Sequence, residues 1–340
     1  MLEPGQEHLL HLRPIDYHKA NLYTITVNCR YLPCFRGRKG GRAVYKGIIF
    51  AILASLCWSI SPIFYRRLLC SLSYLELNFL RCFGFVASVL PFALSEGSPW
   101  DFLRSADLRE VFVLSFHLLV GLGLGDMFYF VAIRHVGVSK AVSIGSSYVL
   151  FSAALGVFFL REPFGLEIAV GTGSVLGGIF LVKGADLGNA FEGGEPGKGY
   201  LAAISSALCW GLAIFAAKFL LVSSGHGPAV LTLWKAISLT LFSGLLLFAR
   251  RGLGVLSLLA SLSPLQWLEV LVGGALGLGL GGLLSWWALD LAPSTLVVPF
   301  TALSPVFSAL LAAACVRERL SPRLLSGVAL IVLGAVVISY

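Results

Sequence analysis

The feature that most constrains this chain is a run that occurs twice. Lys46 to Leu69 reads KGIIFAILASLCWSISPIFYRRLL, and Lys198 to Leu221 reads KGYLAAISSALCWGLAIFAAKFLL, at an offset of 152. Lys46 and Gly47 match Lys198 and Gly199, the triplet Leu56, Cys57, Trp58 matches Leu208, Cys209, Trp210, and Arg66 is answered by Lys218. Each copy carries roughly the 20 predominantly apolar residues that a helix needs to cross a hydrocarbon core about 30 Å thick. The backbone of such a segment must satisfy its own hydrogen bonds, which selects a helix. Two related halves are implied.

Composition agrees: 57% of the 340 residues are hydrophobic and 12% are charged, where a soluble domain has roughly 25% charged. The apolar runs are too unbroken for membrane barrel strands, which alternate at about every second residue. They fall near residues 47–69, 73–94, 110–133, 139–160, 165–183, 199–222, 229–249, 266–289, 294–316 and 322–340. The expected fold is therefore all-α, an integral membrane protein with ten transmembrane helices. Turn-forming segments separate the runs, among them Ser95 to Pro99, Ser223 to Pro228 and Ser261 to Pro264. The Gly/Glu-rich stretch near 185–198 divides a first repeat, 47–184, from a second, 199–340.

The correspondence runs the length of the halves. Arg81 matches Lys235 at an offset of 154, and from Gly121 the offset is 156. There GLGLG at 121–125 meets GLGLG at 277–281, Phe151-Ser152 meets Phe307-Ser308, Arg161-Glu162 meets Arg317-Glu318, and Gly171 meets Gly327. Five crossings is an odd number, so the second repeat enters from the opposite face and the repeats are inverted. Inverted repeats are a common architecture of secondary transporters, with the substrate held near the midplane between them.

Residues 1–46 form a basic segment with eight Lys or Arg against three acids, read as a poorly ordered tail. It is either a genuine cytoplasmic extension or the product of a start assigned too early. A basic tail at an anionic inner leaflet accounts for most of the net charge of +8 without a nucleic-acid partner. The tail also tips the Lys/Arg balance inward, giving a multi-pass protein of the cell membrane with both termini cytoplasmic. Seven cysteines, scattered mostly through apolar runs, do not read as a disulfide framework. Cys29 and Cys34 lack a second ligand pair at zinc spacing, so neither a metal nor a cofactor is implied.

Asp126, in GLGLGDMFYF, is the sharpest functional candidate, because an acid inside a membrane helix costs about 2.5–3.5 kcal/mol even on permissive scales and faces a cavity, a partner or an ion path. Its counterpart in the second repeat is Gly282. The competing reading makes it a structural partner of Arg81 or Lys235. Those two cations lie inside the second and seventh helices, where they either receive an anionic group or snorkel to a headgroup surface. Trp58, Trp210, Tyr129, Tyr148, Trp286 and Trp287, with Asn78, Ser59, Ser61, Ser143, Ser146, Ser147, Ser285, Thr301 and Ser304, supply the aromatic faces and hydrogen-bonding groups that line small-molecule pockets. Taken singly, each is also explained by interfacial anchoring or helix packing. Glu162 and Glu318 are read as helix-end acids beside Arg161 and Arg317 at the membrane surface, holding loops or gating an opening. The GLGLG motifs have no preceding strand to make a nucleotide-binding loop, and close helix packing explains them better.

Over residues 46–340 the chain resembles the EamA-type transporters of the drug/metabolite transporter superfamily, which contain two five-helix repeats. Carrying the resemblance are Trp58 and Trp210 in the first helix of each half, Arg66 and Lys218 eight positions on, Arg81 and Lys235, Glu162 and Glu318, and Gly171 and Gly327. The family often has a proline in the fourth helix of a repeat. Here Pro305 stands in the second half and Val149 at the equivalent place in the first, leaving open whether both helices bend alike. The resemblance implies a central cavity among the first to fourth and sixth to ninth helices.

The expected function is secondary transport, as an exporter, of a small metabolite, amino acid or drug-like compound by alternating access, with the lipid bilayer as the other partner. A membrane-embedded enzyme on a lipid-linked substrate would need paired acids for a metal, and the near pair Glu192 and Glu195 lies in the Gly-rich loop. A non-transporting receptor or scaffold is the third class, without a soluble signalling domain to support it. Nothing in the sequence fixes the oligomeric state.

Overall fold

In the computed structural model the described residues are 41–162, 164–183, 194–301, 303–304, 306–308, 310–311 and 322–338. They form helices throughout, with no strand among them. We number the main helices α1 (Gly41–Leu68), α2 (Tyr74–Glu96), α3 (Leu108–Val136), α4 (Val138–Gly145), α5 (Tyr148–Leu160), α6 (Leu166–Lys183), α7 (Pro196–Ser223), α8 (Pro228–Arg251), α9 (Pro264–Leu291), α10 (Ser294–Thr301) and α11 (Pro322–Ile338). Six of them, α1, α2, α3, α7, α8 and α9, are long and apolar enough to cross a membrane; α5 and α10 are shorter. Burial is arranged for a lipid solvent. Phe158, Phe180, Leu241, Leu245 and Phe248 are exposed, whereas Arg81, Asp126, Lys218, Lys235 and many serines are buried.

Local chemistry sets the helix starts. Ser73 with Glu76, Asp107 with Glu110, and Ser263 with Gln266 make reciprocal capping boxes that satisfy the first free amides of α2, α3 and α9. Asp107 and Ser263 stand 156 positions apart, so the same device opens the third helix of each repeat. Short helices Trp100–Ser105 and Gly254–Ser261 precede them in both halves, in the gaps between the apolar runs. The first helix begins at Gly41, inside the segment expected to be tail, because Arg42 and Lys46 extend the helix beyond its apolar run and can reach headgroups. The rest of that tail, most of the 185–198 linker, and Cys29, Cys34 and Cys315 lie outside the described residues.

The most extensive helix contacts run between the repeats. α2 lies along α8, α6 along α11, α1 against α9 and α7 against α3. The last two pairings exchange when the halves are interchanged. Small residues permit the closest of these approaches. A Cβ placed on Gly178 in α6 would lie 2.5 Å from the Gly327 carbonyl oxygen of α11, and one on Gly334 in α11 would lie 2.5 Å from the Gly171 carbonyl oxygen of α6. These contacts are also related by the 156-residue offset.

Two departures from regular helix bear on the site. The first GLGLG, and the second up to Leu280, lie in π-helical turns, His117–Gly125 within α3 and Ala275–Leu280 within α9. Wider i to i+5 turns disturb the usual carbonyl ladder and are frequent at functional sites. The fourth helix of the first repeat breaks at Ser146-Ser147, between α4 and α5, with both hydroxyls turned back onto the carbonyls of Val142 and Ile144. A bend in this helix thus needs no proline; Pro305 itself is outside the described residues.

Candidate functional site

A cavity of about 170 Å³ lies between the repeats, with walls from α1, α2, α3, α4, α5, α7, α8 and α9 and from Ser304. Nine residues singled out from the sequence, Asp126, Trp58, Trp210, Arg81, Lys235, Tyr129, Tyr148, Trp286 and Ser304, all line it. Ser61, Ser146 and Ser285 join them. Trp287 does not; its indole N–H donates to Glu96 Oε1 at 2.9 Å. Ser59 is turned onto its own helix, donating to the Leu56 carbonyl at 2.6 Å.

The first repeat builds the most connected polar group. The Arg81 guanidinium, 2% exposed, makes an ion pair with Asp126, 4% exposed. Its Nε also donates to Asn78 Oδ1 at 3.1 Å. Across the interface, the Trp210 indole N–H donates to Asp126 Oδ1 at 2.8 Å. The guanidinium carbon lies 4.7 Å from the Phe130 ring centroid and 5.4 Å from that of Tyr65. A carboxylate held by an arginine and an indole donor has the charge-assisted bonds that burial demands. Arg81 is therefore not snorkelling, and Asp126 joins α2, α3 and α7.

The second repeat differs at the matched places. Lys235, 3% exposed, packs its ammonium 4.6 Å from the Trp286 ring centroid and 5.6 Å from that of Phe85. Trp286 is the counterpart of Phe130, so each buried cation rests on an aromatic ring of its own repeat. Gly282 stands where the first repeat has Asp126. Among the described residues the Lys235 ammonium has no ion pair and no hydrogen bond.

The two matched tryptophans reach across in different ways. Trp58 donates to the Gly277 carbonyl at 2.9 Å, in the π-turn of α9, and Tyr65 on the same helix donates to the Gly273 carbonyl at 2.7 Å. Glycine is needed beneath both indoles. A Cβ on Gly281 would lie 2.7 Å from Trp58, and one on Gly125 would lie 3.0 Å from Trp210. Tyr148 shares a 2.6 Å hydrogen bond with Thr301, joining α5 to α10. The sequence reading missed His117, whose Nδ1 is 2.7 Å from the Ala213 carbonyl and whose Nε2 is buried without a partner among the described residues. An intramembrane histidine just before GLGLG was the available signal.

Glu162 is corrected in its surroundings. It forms no surface ion pair with Arg161 and is buried, accepting from Ser294 N at 2.9 Å, Ser294 Oγ at 2.7 Å and Thr295 N at 2.8 Å. The first amides of α10 have no intrahelical acceptor and attract a carboxylate more strongly than an exposed neighbouring arginine does. Glu96 does the same for α8, accepting from Ala229 N at 2.7 Å. Glu318 falls outside the described residues.

Membrane-length helices in two related sets, packed around a cavity of mostly apolar and aromatic walls with a few ionisable side chains, define a multi-pass membrane protein of duplicated design. The model of the EamA-like transporter family matches residues 45–184 and again 197–340, so the chain belongs to that family, and the protein is a membrane transporter. An uncharacterised transporter of Archaeoglobus fulgidus is 27% identical over 293 residues, covering 84% of this chain and 95% of its own. A solved crystal structure superposes with a TM-score of 0.64 at 22% identity, covering 86% of this chain and 97% of its own, a likeness of fold.

Proposed function

We propose that this transporter is a secondary exporter of a small metabolite, amino acid or drug-like compound, with the solute held in the cavity between the repeats. Access alternates as one repeat rocks on the other. The ten apolar runs are ten crossings, the repeats are inverted, and both termini face the cytoplasm of the cell membrane. One observation carries the reading: aromatic and ionisable side chains from matched positions of both repeats meet around a single cavity. Inverted-repeat transporters hold their solutes at that kind of interface. Asp126, Arg81 and Trp210 act together in it, since a change in how the repeats meet must remake the bond between Trp210 and Asp126. Glu162 latches one end by holding α10.

The test is solute flux in proteoliposomes under an imposed proton gradient, using a panel of carboxylates, amides, amino acids and amines. Wild-type protein is expected to move at least one class, and Asp126→Asn to lose most of that flux. Absence of flux for every class contradicts secondary transport; undiminished flux in Asp126→Asn removes Asp126 from the mechanism.

A further inference from the structure

The second repeat keeps the buried cation and its aromatic ring but not the carboxylate. Arg81 sits 4.7 Å from Phe130 and Lys235 sits 4.6 Å from Trp286, yet Asp126 has its counterpart in Gly282. The space this leaves is beside the ammonium: a Cβ on Gly282 would lie 3.8 Å from Lys235 Nζ, with no other atom of the described residues within 4 Å beyond its own turn of helix. Both residues face the cavity. Among the described residues the charged side chains lining it are two cations and one acid, and that acid is already taken by Arg81 and Trp210. A cation taken out of water without an ion pair or hydrogen bond is costly, and a ligand of opposite charge offsets the cost.

We infer that the transported solute carries a carboxylate, which Lys235 receives in the space where the second repeat lacks an aspartate side chain. This rests on the transporter reading above. The missing group is the size of one carboxymethyl, and one ammonium matches one carboxylate. A phosphate dianion would leave acceptors unmet, because Arg81 is committed to Asp126 and Asn78. Behind the ammonium the walls are aromatic, so the body of the solute is apolar or aromatic. His117 supplies one further polar contact. With Nδ1 donating to the Ala213 carbonyl, its unpartnered Nε2 is an acceptor for a hydroxyl or N–H on that body.

The test is calorimetric titration of the purified full chain with hexanoate, phenylacetate and 4-hydroxyphenylacetate, each beside its primary amide, and with phenyl phosphate. At least one carboxylate is expected to bind at least about tenfold more tightly than its amide, the weight of a charge-assisted bond. Lys235→Gln is expected to bring that ratio to about one, and so is Gly282→Asp, which supplies an internal carboxylate to Lys235. The second variant keeps the lysine and so stands if the first fails to fold. No carboxylate preferred over its amide, or the preference intact in both variants, overturns the inference. Tighter binding of phenyl phosphate than of phenylacetate also overturns it. Proteoliposome flux separates the two readings. Flux of amides that Lys235→Gln leaves unchanged sinks the carboxylate and keeps transport, whereas a lysine-dependent preference without any flux keeps the carboxylate site and sinks transport.

Discussion

Arg81 and Lys235 occupy matched places in the two repeats, and the contrast between them separates what duplication preserved from what changed afterwards. Preserved are the burial of the cation and the ring beneath it, and with them the glycine contacts by which α6 and α11 meet. These belong to the scaffold, and both repeats need them for the same packing. Changed are the groups that bind: Asp126 against Gly282, Tyr65 against Ala217, His117 against Gly273. The first repeat closes its polar network internally through Arg81, Asp126 and Trp210, and the second leaves an ammonium open to the cavity. In the proposed mechanism the first repeat holds the interface and the second receives the solute.

The largest expected effect comes from breaking the closed side. Asp126→Ala leaves Arg81 buried without a counter-ion and should destabilise the protein by about 3–5 kcal/mol, while Lys235→Met removes a buried cation that has no ion pair to lose and should leave stability unchanged or raised. Unfolding of the purified variants in detergent measures both. Equal losses would erase the contrast between the repeats. Next come the packing glycines, where the repeats should behave alike. Gly178→Leu and Gly334→Leu each force apart α6 and α11, at about 1–3 kcal/mol each, and the two costs should agree within the error of the same unfolding measurement. The matched indoles should differ from each other, with Trp58 the smallest loss of all. Trp210→Phe gives up a donor to a carboxylate, worth about 1.5–3 kcal/mol, and Trp58→Phe gives up a donor to a carbonyl, worth about 0.5–1.5 kcal/mol. A larger loss at Trp58 would mean that the Gly277 carbonyl, not Asp126, is the stronger tie between repeats.

Much of this was legible in the sequence because hydrophobic length and repetition report directly on helices. The Trp58 and Trp210 runs, the GLGLG pair and the Arg81/Lys235 match set out the two repeats before any coordinates. The residues around the cavity were legible for a related reason: polar groups inside membrane helices are too costly to leave facing lipid, so Asp126, Arg81 and Lys235 had to face inward. Pairing was not legible. Asp126 had two cations within reach of the argument, and only the packing of α2 against α3 selects Arg81. Nor does periodicity reveal a π-turn, since the glycines that permit it also fit ordinary close packing. Glu162 was misread because its neighbour in sequence is Arg161, whereas its partners, Ser294 and Thr295, are more than a hundred residues away.

Solute counterflow asks whether the cavity between the two repeats carries solute across the membrane. Proteoliposomes preloaded with one member of the solute panel are exposed to a trace of the same compound in labelled form. A transient accumulation of label above protein-free vesicles is expected for at least one solute, greatly reduced when Asp126→Asn disrupts the pairing that joins α2, α3 and α7. Label that equilibrates no faster than in protein-free vesicles, for every member of the panel, would contradict transport through that cavity.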